Sequence, residues 1–223
     1  SGRHEQTESF ALNYSAQYIE DSIESTSLEN NFTSRRYYKA SILPEYKMSL
    51  KDEQQLTFRL GAAFDDTDRD DSEVSLIGDI AWNTFNSDDS TQTIYLSYAE
   101  ASQVAGYTAI GGSSTGGLFR SNYNLERETT KNLELGLVFD GLTWSLDTDG
   151  FYRKDDDLTD WTYSLNSTSA RSDNPVDIET LGWELLATTR LANAEIITSY
   201  TFLDKSEDYG GVDIDASFYA LNY

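Results

Sequence analysis

The chain has 223 residues, and 16 Lys and Arg against 39 Asp and Glu give a formal net charge of −23 with His4 neutral. This charge excludes a general nucleic-acid binder, because such a protein needs a basic surface to displace counterions from phosphate. Cysteine is absent, which excludes disulfides, thiolate metal sites and cysteine nucleophiles. Aromatic residues reach 13%, whereas disordered acidic chains are poor in them, so we expect a folded protein.

The sequence has no run of about 18 apolar residues, so it predicts no transmembrane helix. Ser1 to Glu5 do not form the charged and apolar regions of a signal peptide. If the protein is exported, the start of its sequence is missing.

Apolar residues alternate with small polar residues along nearly the whole chain, which is typical of β-strands. In chain order, the alternating segments are Phe10 to Tyr18, Leu56 to Phe64, Leu76 to Trp82, Ile94 to Tyr98, Leu133 to Phe139, Leu142 to Leu146, Leu181 to Ala187 and Ala194 to Phe202. They predict about ten strands, many with ten or more residues. Strands of soluble sheets usually have about 5–6 residues, whereas a strand that spans a bilayer needs about 9–11.

The predicted connections are alternately short and long. Short turns are predicted at Lys51 to Glu53, Asn86 to Ser90, Asp140-Gly141 and Ala192-Asn193. Longer polar segments are predicted as loops at about 65–73, 102–128, 166–177 and 204–215. Asp-Gly is a strong signal for a two-residue hairpin turn. Short turns on one side and long loops on the other are the arrangement of an outer-membrane β-barrel.

The second face of the strands favours the same class. It is largely Ser, Thr, Asn, Gln, Gly, Asp and Glu, which suit a wide aqueous lumen. Aromatic residues lie toward the strand ends, as interfacial girdles require, at Tyr37-Tyr38, Trp82, Phe151-Tyr152, Trp161 with Tyr163, and Phe202. A soluble β-sandwich with exposed tyrosines at its strand ends is the alternative.

One acidic cluster could bind a metal ion, because alternating carboxylates can coordinate Ca²⁺. It comprises Asp65, Asp66, Asp68, Asp70, Asp71 and Glu73. An EF-hand that starts at Asp66 would need Gly at its sixth position and Glu at its twelfth, but Asp71 and Ile77 stand there. We therefore interpret the cluster as a solvated loop tip. Its five aspartates remain candidates for a looser divalent-cation site shared between loops.

No enzymatic site is predicted. Asp155, Asp156, Asp157 and Asp160 could supply the carboxylate pair of a glycosidase, but nothing in the sequence fixes two of them at a defined separation. His4 has no second histidine or cysteine with which to form a metal site. The flexible segment Gly111 to Gly117 lacks the lysine of a phosphate-binding loop. We expect no cofactor.

The middle of the chain carries a series of family motifs. Tyr95-Leu96-Ser97-Tyr98 leads into a long polar segment, and the chain returns through Asn122 to Glu128, an "N-x-x-L-x-x-E" segment. The later motifs are Asn132-Leu133-Glu134-Leu135-Gly136, Phe151-Tyr152 with Asp155 to Leu158, Gly182-Trp183-Glu184, and Ser199 to Asp204. In this order and spacing, over about 91–204, they resemble the barrel of TonB-dependent outer-membrane receptors. Residues 1–90 fit as preceding strands by pattern only.

The resemblance implies a receptor in the bacterial outer membrane that imports a scarce ligand with energy from the TonB complex. The ligand would be a metal chelate, a vitamin or an oligosaccharide. Binding would take place at outer loops, for which we select 102–128, 166–177 and 204–215. The barrel surface would contact outer-membrane lipid, and the mechanism would be gated transport without covalent chemistry.

Departures from the family pattern indicate a partial barrel. We find neither the plug domain nor the TonB box of these receptors, and about ten strands are present where a plugged transporter has about 22. We therefore interpret residues 1–223 as an antiparallel barrel fragment without its plug. Two alternatives stay open at this point: a soluble secreted β-sandwich or β-solenoid that binds glycans, and a complete small barrel that acts as a channel or surface protein.

Overall fold

A computed structural model describes residues 1–29, 33–51, 53–86, 90–162 and 171–211. The strands are β1 (Gly2–Thr7), β2 (Phe10–Ser22), β3 (Ser34–Ser49), β4 (Gln54–Thr67), β5 (Asp70–Phe85), β6 (Thr91–Gln103), β7 (Phe119–Arg120), β8 (Glu128–Asp140), β9 (Trp144–Thr162), β10 (Arg171–Leu191) and β11 (Ala194–Asp208). One short helix, α1 (Tyr107–Gly111), lies between β6 and β7.

All of these strands belong to one sheet. Its order is β1-β2-β3-β4-β5-β6-β8-β9-β10-β11, and every pair along this path is antiparallel. The two-residue strand β7 pairs in parallel with the start of β10. In the described part of the chain the sheet is open, because β1 pairs only with β2 and β11 only with β10. The prediction of an antiparallel sheet with about ten long strands is confirmed.

The predicted short turns fall between strands that follow one another in the sheet, at the edge here called the short-turn end. Asp52 and residues 87–89 of two of these turns lie outside the described residues. Ala192 and Asn193 form a two-residue turn in which Ala192 has a positive φ of 26°. The Asp140-Gly141 turn is longer than predicted, since β9 begins only at Trp144. Gly141 N donates to Trp144 O at 2.9 Å and closes this turn. The opposite edge is the loop end.

The predicted long loop at 65–73 is wrong. β4 continues to Thr67 and β5 starts at Asp70, so only Asp68 and Arg69 form the turn. Asp65 pairs with Glu73 across the hairpin. The physical reason is that these strands extend past the thickness of a bilayer, where water solvates charged side chains and acidic residues do not end a strand.

Two further loop predictions are partly wrong for the same reason, because strands β10 and β11 extend into the predicted loops. Residues 171–177 belong to β10 and residues 204–208 to β11. Residues 209–211 are described and follow the end of β11, whereas the remaining parts of those predicted loops, 166–170 and 212–215, lie outside the described residues. The acidic run Asp155 to Asp160 also lies within a strand, β9. With 19 and 21 residues, β9 and β10 are about twice as long as a bilayer-spanning strand needs to be.

The alternation of side chains gives the sheet one apolar and one polar face. The apolar residues remain exposed: Leu60 is 73% exposed, and Leu76, Leu135 and Leu181 are each more than half exposed. In a β-sandwich this face would be buried against a second sheet, but the described strands form a single sheet. Exposed apolar side chains along long paired strands are typical of a surface in contact with lipid.

Glycines on the sheet allow close approach of neighbouring groups. A Cβ atom at Gly182 would lie 2.2 Å from Cζ of Phe151, whose ring covers the glycine on the adjacent strand. Gly136 is covered in the same way by Tyr95. At Gly61 the neighbour is main chain, because a Cβ would lie 2.0 Å from Ile42 O.

We expect Gly61→Ala to destabilise the barrel by about 1–3 kcal/mol or more, because the methyl group would collide with main chain that cannot rotate away. Gly150→Ala is the matched control, since its Cβ would lie 3.8 Å from its nearest neighbour, Gly182 O. The measurement is the thermal midpoint of the detergent-refolded intact gene product. Equal midpoints for the two variants would contradict the close approach of β3 and β4.

Candidate functional site: the loop-end surface

Residues 104–127, here called the loop segment, connect β6 to β8 at the loop end. They contain α1 and β7 and fold toward β2 and β3, which lie four and three strands away from β6 in the sheet. Glu29 N, in the connection between β2 and β3, donates to Gly111 O at 2.9 Å. The loop segment therefore extends over the loop end of the sheet, from β6 as far as β2 and β3.

One anchor holds α1 against β2 and β3. Arg35 forms an ion pair with Asp21 at 3.1 Å, and its Nη1 donates to Ala105 O at 3.1 Å. Tyr107 OH donates to Asp21 Oδ1 at 2.6 Å, and the guanidinium of Arg35 lies 4.1 Å from the centroid of the Tyr107 ring. Burial, followed by the hydrogen bond to Asp21, raises the pKa of Tyr107 to about 12. The phenol therefore stays a donor throughout the physiological pH range.

A second anchor holds the other end of the loop segment. Arg127 Nη1 donates to Asp65 Oδ1 at 2.9 Å, and Nη2 donates to Asp71 O at 2.7 Å. Lys39 pairs with the other carboxylate oxygen of Asp65. The side chains of Arg127 and Asp65 are both largely buried. Two cations thus hold one buried carboxylate between β3, β4 and the loop segment.

The five candidate metal-binding aspartates do not converge. Asp65 lies opposite Lys39 on the polar face, whereas Asp66 lies opposite Tyr38 on the other face. Asp68 Oδ1 accepts from Arg36 N at 3.1 Å. Among the described residues, no three His, Cys, Asp or Glu side chains form a group that could hold a metal ion. The divalent-cation site at Asp65, Asp66, Asp68, Asp70 and Asp71 stays a prediction, and this arrangement does not favour it.

The candidate catalytic acids on β9 are engaged in other contacts. Asp155 pairs with Arg153 at 2.8 Å, and Asp156 pairs with Lys154 at 2.8 Å. Asp157 has a positive φ of 56° at the irregularity where β9 shifts its pairing with β10. His4 lies on the exposed strand β1. These positions offer no carboxylate pair arranged around a common substrate.

A small apolar cluster within the loop segment packs against the sheet, and the sequence analysis did not predict it. Its buried members are Ala105, Ala109 and Ile110, and Trp161 of β9 packs against them. Trp161 also makes an edge contact with Phe119 at 5.1 Å between ring centroids. Alternation could not identify this cluster, because it joins non-periodic loop residues to a strand that is distant in sequence.

The polar face carries charge along its length. Near the short-turn end, Glu45 accepts from Arg3 Nη2 at 2.9 Å and lies 3.3 Å from Arg59 Nε. Arg59 in turn lies 3.5 Å from Asp79. Farther along the sheet, the register places four carboxylates on this face of β8, β9 and β10, namely Glu134, Asp147, Asp149 and Glu184. A polar, predominantly acidic wall suits a water-filled interior.

An acidic pocket lies where β8, β9 and β10 extend past the bilayer. Asp160 is 1% exposed, Asp173 2% and Glu128 7%. Both carboxylate oxygens of Asp173 are buried and have no hydrogen-bond partner among the described residues. Burial, and then the nearby Asp160 and Glu128, raise the pKa of Asp173 to about 7.

None of the helices in the described part of the chain is long and apolar enough to cross a membrane. A family model described as TonB dependent receptor-like, beta-barrel, matches residues 2–222. No curated protein matches the chain.

Two solved structures share this fold. The copper transporter OprC is 14% identical with a TM-score of 0.59, and the match covers 90% of this chain and 36% of that one. The FrpB iron transporter from Neisseria meningitidis (F3-3 variant) is 15% identical with a TM-score of 0.62, and the match covers 93% of this chain and 35% of that one. The chain thus spans about a third of the length of these two proteins.

We expect Arg127→Ala to release the loop segment, because it removes one partner of a largely buried ion pair, a change that typically costs about 3–5 kcal/mol. The measurement is the rate of limited proteolysis within the glycine-rich part of the loop segment in the intact gene product. Arg36→Ala is the control, since Arg36 is exposed and lies 4.0 Å from Glu20. Equal cleavage rates in the two variants would contradict the anchoring role of Arg127.

Proposed function

The chain belongs to the TonB-dependent receptor-like β-barrel family, whose members are bacterial outer-membrane proteins, and we propose that it forms part of a receptor that imports a scarce ligand. The observation that carries the proposal is the combination of a lipid-type outer face, a polar inner face and a loop segment anchored across the opening. A passive pore does not need two arginine anchors over its opening, one of them buried, whereas a gated receptor needs a surface that holds its ligand.

The proposal includes the organisation of the parent protein. The described sheet is open, and the chain spans about a third of the length of OprC and FrpB. We therefore interpret residues 1–223 as a fragment of a larger barrel whose plug domain lies elsewhere in the parent protein. A closed barrel would pair β1 and β11 with further strands and satisfy their free backbone groups in lipid.

The ligand is proposed to be a metal or metal chelate. The two neighbours are named as copper and iron transporters, which favours this class over a vitamin or an oligosaccharide. The acidic inner wall is compatible with it, because a channel lined by one sign of charge concentrates ions of the opposite sign. A cationic species would gain most from this field.

The ligand-binding surface is proposed to lie at the loop end. The loop segment presents Leu118, Phe119 and Tyr123, each more than half exposed, beside the anchored helix α1. Exposed apolar side chains above a charged wall offer contacts both to the organic part of a chelate and to its metal. In the described part of the chain, the predicted segments 166–177 and 204–215 extend this surface through residues 171–177 and 204–211.

Energy for import is proposed to come from the TonB complex, and the mechanism is proposed to be binding and gated transport. The acidic residues considered for catalysis, Asp155, Asp156, Asp157 and Asp160, lie within strand β9, and two of them form ion pairs. Movement of the loop segment would control access to the interior. Its anchors, Arg35 and Arg127, are the contacts that such a movement must break or carry along.

We expect deletion of the intact gene to lower uptake of iron or copper chelates under metal limitation, and loss of TonB to lower it to the same level. Restoring the gene in a strain without TonB should not recover uptake. TonB-independent uptake would support a passive channel instead. Partition of the gene product as a soluble periplasmic protein would contradict an outer-membrane role altogether.

A further inference from the structure

Two acids of the acidic pocket, Asp160 and Asp173, belong to the loop-end hairpin, defined here as residues 158–162 of β9 and 171–178 of β10, and the third, Glu128, is the first residue of β8. Asp173 is two residues from the first residue of β10, Arg171, and 18 residues from Leu191 at the short-turn end. A bilayer-spanning strand needs only about 9–11 residues, so Asp173 lies outside the membrane-spanning part. Its burial is therefore due to protein and not to lipid.

The three buried acids differ in their hydrogen bonds. Asp160 Oδ2 accepts from Tyr209 OH at 2.6 Å. Glu128 Oε1 accepts from Thr159 N at 3.1 Å, and Glu128 Oε2 accepts from the side-chain amide of Gln103. Asp173 has no such donor among the described residues.

A buried ionised carboxylate without a donor or a cation is costly, and such a group normally becomes neutral. The basic residues nearest in the pairing are Arg171, whose Nη1 donates to Trp161 O at 3.2 Å, and Arg120 of β7. Neither donates to Asp173, whose two carboxylate oxygens have no hydrogen-bond partner within the described residues. No metal-binding group of three side chains is present there either. A proton is the remaining compensation.

We propose that Asp173 is a protonation site that keeps the loop-end hairpin closed at acidic pH and loosens it when the proton is lost. The electrostatic cause is the concentration of negative charge in the acidic pocket. Ionisation of Asp173 would place a buried negative charge beside the carboxyl groups of Asp160 and Glu128, and no ion pair of Asp173 within the described residues would balance it.

The direction of the pH dependence follows from the raised pKa of about 7, compared with about 4 for an aspartate in the unfolded chain. The closed hairpin binds a proton more tightly than the open one does. The stabilisation is therefore complete below about pH 4 and is lost as the pH rises to about 7. A rise in pH opens the hairpin.

Opening of the loop-end hairpin would affect the loop segment through one side chain, that of Trp161. Trp161 is the direct cross-strand partner of Asp173, and the same indole packs on Phe119 and on the apolar cluster under α1. Opening the hairpin would remove this support. This last step rests on the proposed function, because only in a receptor does the position of the loop segment control ligand access. The protonation site itself does not depend on it.

The test is hydrogen exchange of hairpin amides in the intact gene product between about pH 5 and pH 8, corrected for the intrinsic rate. In the parent, protection should fall with rising pH by up to about tenfold per pH unit between about 5 and 7. In Asp173→Asn, which keeps the shape and removes the charge, protection should be independent of pH. Asp204→Asn, at an exposed position of β11, is the control and should behave like the parent.

A parent-like pH dependence in Asp173→Asn would overturn the proposal. So would recovery of protection at pH 8 on addition of Ca²⁺ or Mg²⁺ to the parent, because a cation would then be the natural compensation. If Asp173→Asn does not fold, infrared spectra of the parent decide: a carboxylic acid band that disappears near pH 7 supports the proposal, and its absence contradicts it. None of these measurements requires a transported ligand, so they succeed or fail independently of the proposed function.

Discussion

The pairing of backbone groups determines the rest of this structure. In hydrocarbon an unpaired N–H or C=O costs several kcal/mol, so a chain that crosses lipid as strands must pair each of them with neighbours. The antiparallel path from β1 to β11 satisfies this requirement along most of its length, with local irregularities such as the one between β3 and β4, and leaves two edges open. Once the strands are paired, successive side chains point to opposite faces, one toward lipid and one toward water. Apolar side chains are therefore required on the first face and polar side chains on the second. The open edges are the reason to expect further strands in the parent barrel.

The requirement that every backbone group be paired ends at the boundary of the bilayer, because water can solvate unpaired groups and charged side chains beyond it. β9 and β10 continue beyond the membrane and carry acidic side chains that no lipid-facing strand could hold. Beyond the bilayer, ion pairs hold the chain in place in addition to backbone pairing: Arg35 and Arg127 fix the loop segment at two separate places. An ordered loop in water depends on such contacts, because the loop segment buries only a small apolar cluster. Breaking one pair therefore affects the loop segment far more than the sheet.

The alternation of apolar and polar residues is a local property of the sequence, so it predicted the features that depend on neighbouring residues. It identified the long strands, their apolar face and most of the short turns, and the motifs around Tyr95 to Glu128 identified the family. It failed at Asp65 to Glu73 because a run of acidic residues was interpreted as a loop, although water beyond the bilayer solvates acidic strands as well. The anchors joining Arg127 to Asp65 and Tyr107 to Asp21 could not be predicted, since they link residues 62 and 86 positions apart. The isolation of Asp173 is equally invisible in sequence.

The net charge explains why such an isolated acid exists. With 39 acidic and 16 basic residues, fewer than half of the carboxylates can have a basic partner of their own. Some basic side chains pair with largely buried carboxylates, and two of them, Lys39 and Arg127, share Asp65. Acids on the surface need no partner because water solvates them, so the shortage matters only at buried positions. Asp173 is such a position, which makes its ionisation, and not that of the many exposed carboxylates, the event to which the loop end can respond.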